Sequence, residues 1–142
     1  MVLESVKVAL DPSPAQERLL LSHAGAARFA YNAGLAHVKA CIEAGAKPEW
    51  SLYGLRRWWN SSKDTLAVSD DGVIWWRENS KEAYSSGLEA LAKGLLNWSK
   101  SRRGDRKGRR VGFPQFKSKD RTTPRFAYTT GSFGRSRVTR RR

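Results

Sequence analysis

The chain has 142 residues, 39% of them hydrophobic, a net charge of +14 and a single cysteine, Cys41. Those figures allow one core of ordinary domain size, exclude an internal disulfide, fit a reducing compartment and point to a polyanionic partner. The charge is also segregated, because residues 1–99 hold 11 Lys and Arg against 11 Asp and Glu, whereas residues 100–142 hold 16 against only Asp105 and Asp120.

Val2 to Leu10 reads as a half-buried strand, with Val6, Val8 and Leu10 alternating with Ser5, Lys7 and Ala9. Lys7 and Asp11 interrupt this apolar start, so no signal peptide is expected, and no run approaches the ~20 apolar residues of a spanning helix. The expected location is the cytoplasm, with no membrane partner. Ser13, Pro14 and Gln16 carry a helix-start signature, and that helix is predicted to stop near His23, before Gly25.

A second helix is predicted over 26–44, where Ala27, Tyr31, Leu35, Val38 and Ile42 recur at steps of four and three before Gly45. The pair reads as a helix-turn-helix. A shorter helix is predicted over Ser51 to Ser61, and a turn at Asp70, Asp71 and Gly72. Asn79 and Glu82 suggest a capping box for a last helix, whose buried stripe is Tyr84, Leu88, Leu91, Leu95 and Trp98. The run Ser101 to Arg110 reads as an exposed basic loop, and Val111 to Phe116 and Arg125 to Phe133 as short aromatic strands.

Catalysis finds no support in these residues. Asp64, Asp70, Asp71, Glu78 and Glu82 are explained by turn and cap chemistry, His37 and Cys41 by helix packing, and His23 with Ser22 lacks a third group. No catalytic residue, metal ligand or cofactor is therefore assigned. Adjacent indoles on a helix diverge by about 100°, so one member of each pair Trp58–Trp59 and Trp75–Trp76 is open to base stacking or to further packing, and packing is favoured. Arg102, Arg103, Arg106, Lys107, Arg109 and Arg110, interleaved with glycine, are expected to contact phosphates. Phe113, Phe116, Phe126, Tyr128 and Phe133 alternate with Lys117, Lys119, Arg121 and Arg125, which suits either a backbone-tracking sheet or ordinary strands.

Three segments in order, Leu10 to Gln16 (L-D-P-S-P-A-Q), Gly25 to Asn32 (G-A-A-R-F-A-Y-N) and Gly112 to Lys119 (G-F-P-Q-F-K-S-K), resemble the N-terminal region of OrfB/TnpB proteins of bacterial insertion sequences. The resemblance covers almost the whole chain. It implies an α+β fold in which a bundle of about four helices is inserted after the first strand of a partial β-barrel. On that reading residues 1–12 hold the first strand of a wedge barrel, 13–101 a helical recognition lobe, 102–110 a basic loop, 111–134 the next part of the barrel, and 135–142 an Arg-rich, out-of-frame tail.

The family resembled consists of transposon-encoded RNA-guided DNA endonucleases, often called transposases, with a RuvC-like nuclease domain farther on. The resemblance implies a fragment, truncated before that domain, that binds guide-type RNA and DNA without cutting, with a separate nuclease chain or transposase of the same element as a further partner. Gln16, Arg28, Tyr31 and Asn32 match the family's helical signature, with Arg28 and Asn32 expected at RNA. Lys81, Ser85, Thr129 and Thr130 stand where such proteins approach the DNA motif flanking the target, and Gln115 replaces a common arginine. The alternative from another class is a sequence-specific duplex regulator reading DNA with Arg28 and Asn32.

Overall fold

The computed structural model describes residues 4–128. Three α-helices, α1 (Pro14–Glu43), α2 (Leu52–Leu66) and α3 (Lys81–Arg103), carry the core, with a 3-10 turn at Trp76–Glu78 leading into α3. α1 begins at the predicted cap: Gln16 Oε1 accepts the Ser13 N–H at 2.9 Å, and Ser13 Oγ accepts the Gln16 N–H at 3.3 Å.

The predicted break before Gly25 is absent. Pro14–Glu43 is one helix of 30 residues, so the turn expected between two shorter helices does not form. Ala24, Ala27, Tyr31, Leu35 and Val38 lie buried on both sides of Gly25. Laying this continuous stripe on α3 outweighs the ~1 kcal/mol that a helical glycine costs. α1 then ends where predicted: Gly45 takes φ +73°, with its N–H on Ile42 and the Ala46 N–H on Cys41.

α2 is capped by Ser51, whose Oγ accepts the Gly54 N–H at 3.1 Å, and it runs past the predicted end at Ser61 to Leu66. The Asp70–Gly72 turn forms, with Gly72 at φ +83° and a single bridge between Val68 and Ile74. α3 is capped by Ser80, not by the predicted Asn79. Ser80 Oγ accepts the Glu82 N–H at 3.2 Å, while Asn79 accepts the Ser22 hydroxyl at 2.9 Å. Of the predicted stripe, Tyr84, Leu88, Leu91 and Leu95 are buried and Trp98 is half-buried, and α3 continues beyond Trp98 to Arg103, where Gly104 turns the chain at φ +79°. Arg102 and Arg103 are thus helical and not part of a loop.

α1 and α3 meet backbone to backbone. A Cβ on Gly87 would lie 2.0 Å from the Ala27 carbonyl oxygen, so only glycine permits this crossing.

The expected α+β architecture is overturned: among the described residues there are three α-helices and no strand, so neither a partial β-barrel nor a bundle of about four helices is present. Residues 4–10 form no helix or strand, with Val6 82% exposed where the strand reading made it half-buried. Residues 111–118 form no strand either, and they lie against helices. An extended segment becomes a strand only when a neighbour takes its backbone hydrogen bonds, and here helical side chains take them instead. Of the second predicted strand, 125–128 form no helix or strand, while 129–133, with the tail 135–142, lie outside the described residues.

Candidate nucleic-acid interface

The G-F-P-Q-F-K segment is held by the signature of α1. Asn32 uses both ends of its amide: Nδ2 donates to the Lys117 carbonyl and Oδ1 accepts the Lys117 N–H, each at 2.8 Å. One side chain here does the work of a neighbouring strand. The Tyr31 hydroxyl donates to the Gln115 carbonyl at 3.1 Å. Upstream, Phe113 stands edge-on to Trp98 at 4.9 Å, and the Val111 N–H donates to Ser101 Oγ at 2.9 Å. Of the four signature residues, then, Gln16 caps α1 while Tyr31 and Asn32 fasten the segment. Arg28 makes no hydrogen bond or ion pair among the described residues.

This docking places the chain after Lys117 over the α1–α3 seam and encloses a cleft of about 880 Å³. Its charged lining is Arg28, Lys117, Arg121 and Arg125, with the hydroxyls of Thr122 and Thr123 and no Asp or Glu. Lys117 Nζ lies 4.2 Å from the centre of the Tyr31 ring. Burial, and after it the charge of Arg125, holds the Lys117 ammonium below its ordinary value. Both effects penalise the charged form, and an anion in the cleft would relieve the repulsion. Arg28, Lys117 and Arg121 are brought together from 93 residues of sequence separation by the Asn32 clamp. Arg125, which the sequence placed only in the alternating aromatic stretch, joins them.

The remaining predicted residues are elsewhere. Lys81 is exposed at the first position of α3, and Ser85 accepts from Arg56 Nε at 2.7 Å. Arg102 lies over Trp98 at 5.6 Å, Arg103 pairs with Asp105 at 3.3 Å, and Arg106 donates to the Arg109 carbonyl at 3.2 Å. Lys107, Arg109, Arg110 and Lys119 are exposed, and Thr129 and Thr130 lie outside the described residues. Arg102 is 12 positions along α3 from Ala90 on the cleft wall, about 18 Å away.

The tryptophans are engaged in packing. Trp59 is buried and stacked on Tyr84 at 5.0 Å, Trp58 stacks on His37 at 4.5 Å, and Trp75 stands edge-on to Phe29 at 4.7 Å. Trp76 donates to Asp64 at 2.7 Å and has Lys63 Nζ 3.9 Å from its ring centre. Burial lowers the His37 pKa, and its Nε2 lies 3.8 Å from Cys41 Sγ. The Ser69 hydroxyl bonds to Asp71 and, above all other influences, holds that carboxyl below its usual value. No group of three His, Cys, Asp or Glu that could hold a metal occurs among the described residues, and no helix there is long and apolar enough to cross a membrane.

A helix-turn-helix domain profile of OrfB proteins of the IS605 type matches residues 1–47. The described residues of that span contain the single helix α1. The chain is 38% identical over 138 residues to two proteins from two strains of Mycobacterium tuberculosis, named "Putative RNA-guided DNA endonuclease MT2953" and "Putative RNA-guided DNA endonuclease Rv2885c". Each alignment covers 92% of this chain and 30% of the relative, so the chain spans about a third of the length of these relatives. No solved structure matches it.

Proposed function

From a chain that carries the N-terminal helix-turn-helix domain of the OrfB family of IS605-type insertion sequences, we propose a module that grips the sugar-phosphate backbone of RNA, or of an RNA–DNA duplex, without cutting it. The observation that carries this reading is the acid-free cleft of Arg28, Lys117, Arg121 and Arg125. Four cations that share a cleft without a counter-ion repel one another, and a polyphosphate strand supplies several anions at regular spacing. Contacts of this kind set position and register and carry little sequence information.

Lys81 and the basic stretch Arg102 to Arg110, with Lys119, extend the grip to either side of the cleft. Asn32 belongs to the interface as a positioning residue, because both ends of its amide are spent on Lys117. Cleavage, in this reading, belongs to nuclease chemistry outside these residues, as in the guided endonucleases that the relatives' names describe.

Fluorescence anisotropy with single-stranded RNA across a salt series tests the proposal. Four neutralised phosphates give a slope of log affinity against log salt of about −3 on a single strand. A slope near zero refutes the electrostatic grip. A preference of ~10³ for one DNA duplex over random duplex would replace it with a sequence-specific regulator. Sequencing the RNA that copurifies then identifies the partner, and a transcript from the protein's own locus is the expected enrichment.

A further inference from the structure

On the other flank of Arg28, α1 and the turn before α3 enclose a second recess of about 730 Å³. Its walls are apolar and aromatic: Phe29 and Trp75 meet edge to face at 4.7 Å and 78°, with Ala33 and Leu66 beside them. The polar groups nearby are mostly spent. Asn32 is occupied by Lys117, and the Asn79 oxygen accepts from Ser22. Two charged side chains of the lining remain, Glu78 and Arg28, and neither forms an ion pair among the described residues. Arg28 lines both the recess and the basic cleft.

An aromatic wall with one carboxylate and one guanidinium is unsuited to a phosphate, since Glu78 would repel it. It does suit a base turned out of a single strand, which stacks on an aromatic side chain and presents its edges to polar groups. The bases differ in what those edges offer. Guanine has two neighbouring donors, N1–H and the N2 amino group, that a single carboxylate accepts as a pair, and on the adjoining edge it has O6 and N7, which a guanidinium satisfies. Adenine, cytosine and uracil offer no such pair of adjacent donors to a carboxylate.

Resting on the nucleic-acid reading above, we infer that this recess selects an unstacked guanine, with Glu78 accepting from N1–H and N2–H, Arg28 donating to O6 and N7, and the adjoining phosphate lying in the Lys117, Arg121 and Arg125 cleft. Bound nucleic acid would straddle the α1 ridge between Arg28 and Asn32, base on one side and backbone on the other.

The test uses the full chain and three oligouridine 12-mers, each carrying one central guanosine, inosine or adenosine, with affinities read by anisotropy. Inosine keeps N1–H, O6 and N7 but lacks the N2 amine, so it removes one half of the Glu78 contact. The guanosine strand is expected to bind about fivefold or more tighter than the other two, and Glu78→Gln, in which an amide donor meets a donor, to erase that difference. Glu78 is exposed, and a thermal melt shows whether the variant remains folded. Equal affinities for the three strands in the unsubstituted protein overturn the guanine site and leave the backbone grip standing, as does a guanosine preference that survives in a folded Glu78→Gln protein. Failure to bind any strand removes both readings.

Discussion

The cleft and the stretch Arg102 to Arg110 are both cationic, but they differ in what holds the charge in place. In the cleft, Lys117 is anchored through its own backbone to Asn32, and its ammonium is half-buried over Tyr31 beside Arg125. Arg121 and Arg125 are as exposed as the side chains of the distal stretch but line the cleft beside Lys117, whereas the distal contacts are local: Arg102 over Trp98, Arg103 with Asp105 and Arg106 with the Arg109 carbonyl. Charge that packing has gathered costs free energy until an anion arrives, whereas charge in water is already solvated and screened. Density of arginine in the sequence is therefore a poor guide to where the fold gathers charge.

The largest test of this contrast acts on the seam beneath the cleft. Gly87→Ala puts a methyl group against the Ala27 carbonyl oxygen, and because backbone must move, a loss of about 3 kcal/mol in urea denaturation is expected. A variant as stable as the parent would show that α1 and α3 do not meet this closely.

Next comes the clamp. Asn32→Asp can still accept the Lys117 N–H but can no longer donate to its carbonyl, and it sets two oxygens face to face. We expect a loss of about 2 kcal/mol, together with faster proteolysis after Lys117. RNA affinity should fall as well, although Asn32 itself is spent on the protein. If affinity falls with stability and proteolysis unchanged, Asn32 touches RNA directly and the positioning role is lost.

A smaller effect compares the two basic regions directly. Replacing Arg121 and Arg125 by alanine should flatten the salt slope on single-stranded RNA by about 1.4, at roughly 0.7 per phosphate contact. The pair Arg106→Ala and Arg109→Ala should flatten it less. Equal changes would abolish the distinction between charge that lines the cleft and charge outside it.

The smallest expected effect is on pH. Burial against Trp58 disfavours the His37 imidazolium, so its folded pKa lies below the ordinary 6.5 of the unfolded chain. As pH falls through that ordinary value the unfolded chain takes up a proton that the folded one resists, and stability declines. His37→Phe keeps a ring on Trp58 without a titrating group. The fall in melting temperature between about pH 7 and about pH 5 should be smaller in that variant, and an unchanged fall would assign the effect to other groups.

Much of the helical frame was legible because its signals are local. Ser13 and Gln16 marked the start of α1, Gly45 its end, Ser51 the start of α2, and the four-three stripe from Tyr84 to Leu95 the buried face of α3. Errors arose where a distant neighbour decided the outcome. Gly25 looked like a break until α3 lay along both sides of it, and Asn79 looked like a cap while its oxygen was engaged by Ser22, 57 residues away. At the site, Arg28, Lys117 and Arg121 could be suspected from residue type alone. Nothing in their spacing showed that Asn32 would turn inward to gather them, or that Glu78 and Trp75 would line one recess with Arg28.

By itself, then, the sequence determined where most of the helical residues lie, how its charge is distributed, and which family it resembles, because caps, periodicity and net charge depend on near neighbours or on simple sums. The tertiary structure alone decided whether extended segments became strands and which cations became a site. Backbone hydrogen-bond partners and counter-ions are supplied across space, and in this fold α1 takes the partners that a barrel would have provided.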